Sequence, residues 1–239
     1  MHPKGERMCN LYSLTKGQQA IRELTRALQD RTGNLPLLPA IFPDQPAPVV
    51  REGPEGRELL TMRWGLPGPV RLGSRPVTNI RNLASPHWRA WLKPEFRCLV
   101  PATSFCEYED TQPRKTPVWF APSRDRPLFA FAGIWRPWHG ARRAAEMPTD
   151  HLLFSFLTCE PNAEVGAVHP KAMPVILRTS DEMEHWLAAP REDLAALQCP
   201  LPDGALTVVA RGSRADATEA AKVNLSHPYF YGRRKSLPR

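Results

Sequence analysis

The chain has 239 residues, 42% of them hydrophobic, and carries a formal charge of +8. That is enough apolar material for a packed core, which excludes a disordered polar chain. No apolar run approaches the roughly 20 residues of a membrane-spanning helix. Met1 to Arg7 lack the apolar segment of a secretory signal, so a cytoplasmic protein with no membrane partner is expected.

In chain order, Lys16 to Asp30 predicts a helix. Ile21, Leu24 and Leu28 recur on one face, Ala20 and Ala27 lie beside them, and Thr15 is placed to cap it. Pro36 to Pro48 holds too many prolines for a helix and reads as an extended surface loop. Val49-Val50 and Leu59 to Trp64 flank a turn of Glu, Gly and Pro, which predicts a hairpin. Ser85-Pro86 is expected to open a short helix with Trp88, Trp91 and Leu92 turned inward. Strands are expected at Arg97 to Val100, Pro117 to Ala121, Leu128 to Trp135, Leu152 to Cys159 and Met173 to Leu177. Asp181 to Ala188 predicts a helix whose start carries Thr179 and Glu182 at capping-box spacing. A further helix is expected at Arg191 to Leu197, and a last strand at Leu206 to Ala210. Many strands with few intervening helices give the fold class: α+β, a single domain of mainly antiparallel β-sheets with flanking helices.

Cysteines stand at 9, 98, 106, 159 and 199. The number is odd and no pair is spaced Cys-x-x-Cys, which argues against a disulfide framework and a zinc site. No metal and no cofactor is expected. Cys98, Cys159 and Cys199 read as small buried apolar residues. The basic charge fits a polyanionic partner. Arginine outnumbers lysine 25 to 7, a bias that codon composition also produces.

Four segments combine a reactive residue with residues that favour tight turns. They are Met8-Cys9-Asn10-Leu11-Tyr12, Thr78-Asn79-Ile80-Arg81-Asn82, Arg97 to Tyr108 with Glu107 near its end, and Val168 to Leu177 with His169 near its start. Singly, each has an ordinary explanation. Cys9 could be a small core residue, Asn79 a turn residue, Glu107 a partner for one of many arginines, and His169 a satisfied histidine beside a strand. Together they supply a nucleophile, an orienting amide and two proton carriers.

In this order the segments resemble the SRAP family, the SOS response-associated peptidases. The matching pattern is Met-Cys, then Asn-x-Arg, then Cys-x-x-Pro-x-x-x-Phe-x-Glu-Tyr, then a histidine followed by Met-Pro. It covers most of the chain, from Met8 to about Ala210. The resemblance implies the SRAP fold over residues 9–225, an amino-terminal extension of residues 1–8 absent from or removed in the active form, and a basic tail at 226–239. It implies a monomer that works in the DNA damage response, at the nucleoid when bound to DNA, by cross-linking to abasic sites in single-stranded DNA. A peptidase-like activity would expose Cys9. By the same resemblance Cys9 is the nucleophile, Asn79 orients it, and Glu107 and His169 handle protons. Arg81 faces DNA phosphate, and Asn10, Trp64 and Lys171 are further DNA contacts. The chain departs from many members in having Asn10-Leu11 where they have Gly-Arg. Its Gly65-Leu66-Pro67-Gly68 turn is followed by Pro69 and Val70 rather than by aromatic residues, and its histidine segment is one residue longer.

An amino-terminal cysteine suits an aldehyde. An α-amino group, with a pKa near 7.8 against about 10.4 for lysine, has a neutral fraction hundreds of times larger near pH 7. It forms an imine, and the thiol of the same residue closes a five-membered thiazolidine. An internal cysteine, whose nitrogen is an amide, cannot do this. Two other classes stay open on the residues alone. Cys9, His169 and Asn79 are also the residue types of a papain-like peptidase or amidase. The charge by itself fits a single-strand-binding module with no chemistry.

Overall fold

The computed structural model describes residues 10–68, 76–142 and 145–216. The first half of the chain supplies β1 (Tyr12–Leu14), α1 (Gln18–Thr25), β2 (Gln29–Asp30), β3 (Leu38–Ile41), β4 (Pro46–Gly53), β5 (Gly56–Trp64), β6 (Leu66–Pro67), β7 (Pro76–Val77) and β8 (Asn79–Ile80). Then come β9 (Arg97–Ala102), β10 (Ser104–Glu109), β11 (Thr116–Ala121), β12 (Phe129–Gly140) and β13 (Thr149–Cys159). The rest supplies α2 (Ala163–Gly166), β14 (Met173–Pro174), β15 (Ile176–Leu177), α3 (Ser180–Ala188), α4 (Leu194–Leu197) and β16 (Thr207–Arg211). This is the sheet-dominated α+β fold that the strand pattern predicts.

One sheet runs β16-β11-β10-β1-β3 and is antiparallel throughout. The other follows β14-β13-β12-β9-β4-β5-β2, with β15 on β12 and β8 on β13. Because β5 also pairs with β13, in parallel, the strands β13, β12, β9, β4 and β5 close into a barrel and leave no free edge between them. Gly133 lies at a crowded point of the wall, where an added Cβ would stand 2.8 Å from the Cys98 sulfur and 3.1 Å from the Ser155 carbonyl oxygen.

The two sheets share an aromatic core. Tyr12 of the first sheet meets Trp64, Phe131 and Phe156 of the barrel edge-on, at ring distances of 5.1, 5.6 and 6.1 Å. Phe105 of β10 packs against Phe120 and Phe131. Burying each such ring contributes about 1.5–3 kcal/mol, so β1 is pinned against the barrel by more than its hydrogen bonds.

Local signals held where they acted locally. The hairpin is β4–β5, with Gly53 opposite Gly56. The capping box at α3 is complete, with Thr179 and Glu182 each accepting from the other's backbone. Tertiary pairing overrode other readings. The first helix ends at Thr25, because Arg26 turns left-handed (φ 56°) and the next residues leave to pair Gln29 and Asp30 with Glu58 and Leu59. Leu28 is consequently 68% exposed rather than buried. The N-cap is Gly17, and Thr15 instead donates its backbone N–H to the Thr103 hydroxyl. The proline-rich stretch contains β3 and the start of β4, not a surface loop. Pro46 and Pro48 fit there because that end of β4 pairs with β5 alone, while β9 joins only at Val50 and Arg51. The residues after Ser85 form successive turns rather than a helix, although Trp88 and Leu92 are buried as expected. Met173 to Leu177 is broken at Val175 into β14 and β15, which pair with different strands. Cys98 and Cys159 are buried, but Cys199 is exposed.

Candidate functional site

The site lies along the seam between the two sheets. β1 is the strand that follows the cysteine segment. Cys9 lies outside the described residues. From Asn10 onward the backbone is fixed. Leu11 is buried with Cys106 and Trp119, and its carbonyl accepts from the Cys106 N–H at 2.9 Å. The register Tyr12↔Phe105, carried two residues back, sets Asn10 opposite Glu107. The Asn10 side chain points across the seam. Its Oδ1 accepts from the Thr78 hydroxyl at 3.1 Å, and that hydroxyl accepts from Asn79 Nδ2 at 3.0 Å. The residue after the cysteine is therefore tied to β10 by register and to the Asn79 segment by its side chain.

β13 is the common neighbour of the remaining segments, with β5 and β8 on one edge and the β14–β15 segment on the edge facing β12. Going along it, Phe154 pairs with Trp64, Phe156 with Asn79, and Cys159 with Met173. The Asn-x-Arg segment and the Met-Pro segment thus flank β13 from opposite edges, at points about three residues, or ~10 Å, apart along it. Asn79 is 8% and Glu107 1% exposed, so both polar groups are interior to the seam. His169 follows α2, whose N-cap Asn162 accepts from the Val165 N–H at 3.2 Å. The His169 N–H itself bonds to the Val165 carbonyl at 2.7 Å. Its ring is half-buried, and Nε2 is enclosed with no acceptor or donor among the described residues. Burial, and secondarily the Lys115 ammonium, lowers its pKa, which keeps the ring neutral near pH 7. Lys115 lies between β10 and β11, the hairpin that carries Glu107.

The other proposed contacts are placed differently. Arg81 is partly exposed and is ion-paired with Glu160. Lys171 is exposed next to the histidine segment. Trp64 is a correction: it is fully buried, stacked on Phe154 and Phe156, and has no surface to offer DNA. Its indole N–H donates to the Thr78 carbonyl at 3.1 Å, so it holds the Asn79 segment from behind. Gly65 after it has φ +116°, and an added Cβ would lie 2.5 Å from Pro76, which keeps the β6–β7 ribbon close. Pro69 and Val70 lie outside the described residues, as do residues 1–8 and the basic tail.

The cysteines divide by environment. Burial first, then the neighbouring Glu107 charge, pushes the Cys106 thiol up to about 12. Burial does the same to Cys159, also to about 12, and raises Cys98 well above its usual value. A thiol so raised is not a nucleophile at neutral pH. Among the described residues no group of three or more His, Cys, Asp or Glu is placed to hold a metal, and no helix is long and apolar enough to cross a membrane. Sequence reasoning missed Thr78 and Gln198. Thr78 was legible only as a turn residue, and Gln198 lies far outside every motif.

The model of the SOS response associated peptidase (SRAP) family matches residues 8–212. The chain belongs to the SRAP family. Two Bacillus subtilis (strain 168) relatives are named abasic site processing proteins. YoqW is 29% identical over 158 residues, which cover 63% of this chain and 66% of that one. YobE is 28% identical over 158 residues, covering 63% and 67%. The matched stretch spans about two thirds of these relatives' length. Among solved structures, a Bordetella bronchiseptica protein shares the fold with a TM-score of 0.64 at 23% identity, covering 84% of this chain and 98% of its own. A Bacteroides thetaiotaomicron protein does so with a TM-score of 0.64 at 21% identity, covering 84% and 90%. The matched residues, 8–212, include all four motif segments.

Proposed function

We propose that this chain processes abasic sites in single-stranded DNA by bonding to them covalently through Cys9. The observation that carries the reading is the anchoring of Asn10. Asn10 bonds to the Asn79 segment through Thr78, and Leu11 bonds to β10 beside Glu107, which supports a nucleophile at position 9 acting at this seam of buried polar groups. The names of the SRAP relatives from Bacillus subtilis support the substrate class.

The chemistry runs as follows. The ring-opened abasic sugar presents an aldehyde at C1. The neutral α-amine of Cys9 adds to that carbon, and loss of water leaves an imine. The Cys9 sulfur then attacks the same carbon while its proton passes to the nitrogen, which closes a thiazolidine with no net redox change. Glu107 is suited to protonating the ring oxygen as the sugar opens and to taking a proton back later. His169, neutral because of its burial, is suited to accepting a proton during opening or reversal. Asn79 orients the nucleophile, Arg81 and Lys171 hold phosphates, and Asn10 lines the approach. The chemistry needs a free amine, so the active form begins at Cys9, either by translation from Met8 followed by removal of that methionine or by cleavage of the Met8–Cys9 bond at this same site.

The test is a single-stranded oligonucleotide carrying one abasic site. The expected result is a protein–DNA band that survives denaturing electrophoresis, absent with an intact oligonucleotide. Binding without a covalent band would reduce the protein to a single-strand-binding module, and hydrolysis of unrelated peptides would favour a general peptidase.

A further inference from the structure

Arg81 is fixed at its backbone and paired at its side chain with an exposed carboxylate. Its backbone is clamped, because Gln198 Nε2 donates to both the Arg81 and the Thr158 carbonyls at 2.7 Å. This fixes the end of the Asn79 segment to β13. The Arg81 side chain is 33% exposed, and its Nη1 is buried with no acceptor among the described residues. Its Nη2 donates to the Glu160 carboxylate, whose side chain is 75% exposed. A buried guanidinium N–H without an acceptor is costly, and an ion pair with so exposed a carboxylate is weak and exchangeable. A phosphodiester oxygen arriving from solvent is an equally strong acceptor and can take the place of Glu160 on the guanidinium.

We propose that Glu160 is the resident counter-ion of Arg81, that a DNA phosphate displaces it, and that this exchange weakens binding to undamaged strands. The inference rests on the reading of the site as one for single-stranded DNA. Its consequence is selectivity. Every strand that docks must first break the Arg81–Glu160 pair, so undamaged DNA is released quickly. A strand with an abasic aldehyde is retained by its bond to Cys9 and does not depend on tight docking. Glu160 is thus a specificity-determining residue rather than a catalytic one.

The experiment compares wild type, Glu160→Gln, Arg81→Gln and the double variant for binding to a fluorescein-labelled undamaged single-stranded oligonucleotide. Binding is followed by anisotropy at low ionic strength, where weak binding stays measurable. Removing one exposed competitor should tighten binding about two- to fivefold. In the Arg81→Gln background the same substitution should change affinity by less than half as much in logarithmic terms, because general charge effects alone remain. An equal gain in both backgrounds, or no gain in the first, overturns the role of Glu160. If wild type does not bind single-stranded DNA at all, the functional reading itself fails, and this inference with it. A second readout separates exchange from damage to the fold: Glu160→Gln should raise retention on undamaged strands while leaving the yield of covalent product on abasic strands unchanged at saturating protein.

Discussion

Two arginines mark two regions built on different rules. Arg97, in the barrel wall, is buried, and its guanidinium donates to the main-chain carbonyls of Leu92, Trp186 and Ala189 at 3.1, 3.0 and 2.6 Å. It also lies 5.4 Å over the Trp186 ring, tying the end of α3 to β9. Arg81, on the seam, has one exposed carboxylate as its ion-pair partner. Backbone carbonyls cannot leave, so Arg97 is a permanent part of the scaffold, and burial depresses its pKa without removing its charge at neutral pH. A solvated carboxylate can leave, so Arg81 is open to exchange. The same side chain is a girder in one place and a contact in the other, and the nature of its acceptors decides which.

The contrast predicts that seam substitutions change chemistry and spare stability, whereas wall substitutions do the reverse. The largest effect is expected at Cys9. Cys9→Ser should abolish the stable adduct on denaturing gels with no change in melting beyond about 1 °C. The amine survives, so borohydride should still trap an imine; failure to trap anything would mean that the amine is not the first nucleophile. Arg97→Ala should be the mirror image. It strips three buried carbonyls of their donor and should cost about 3 kcal/mol, a fall in melting temperature of roughly 6–12 °C. Adduct formation well below the melting point should persist. An Arg97 variant that melts normally would end the comparison.

Arg81→Ala should cost less than about 1 kcal/mol of stability, since its pair is exposed. It should weaken binding to damaged and undamaged strands alike and reduce the salt slope of binding by about one. A loss confined to abasic strands would show that Arg81 reads the lesion, not the phosphate. The smallest effect concerns His169. Its folded pKa lies below the usual value, through burial first and Lys115 second. Acid therefore protonates the unfolded chain more readily than the folded one. The stabilisation from its neutral form is complete above about pH 6.5 and is lost as the pH falls through that range toward the lower folded value. Melting curves between pH 7.5 and 5 should show a smaller acid-induced drop for His169→Asn than for wild type. Equal drops would place the acid sensitivity elsewhere.

What could be read in the sequence follows from how far each signal reaches. The capping box at Thr179 and Glu182 and the turn between Val50 and Leu59 act within a few residues, and both are as expected. The helix end at Arg26 was hidden, because the apolar period runs on to Leu28 while the chain departs to pair with β5. β10, which carries Glu107, was not recognised as a strand. Ser104 to Glu107 are all buried, so its polar residues point into protein on both faces and mimic a loop. Trp64 was expected at DNA from the family resemblance, yet it ends β5, which pairs in parallel with β13, and its ring is buried. The four motif segments were legible by type and order. The links between them, Asn10 to Thr78 to Asn79 and Gln198 to Arg81, join residues 68 and 117 positions apart, and no local pattern encodes them.

The central claim is that a free amine on Cys9 bonds to an abasic sugar. Intact mass spectrometry of the covalent product tests it most directly, on protein expressed from its own start signals and reacted with an abasic single strand. The account predicts one species whose protein part begins at Cys9, with the oligonucleotide attached there less one water. A stable adduct at Cys9 in protein that still carries residues 1–8 would contradict it.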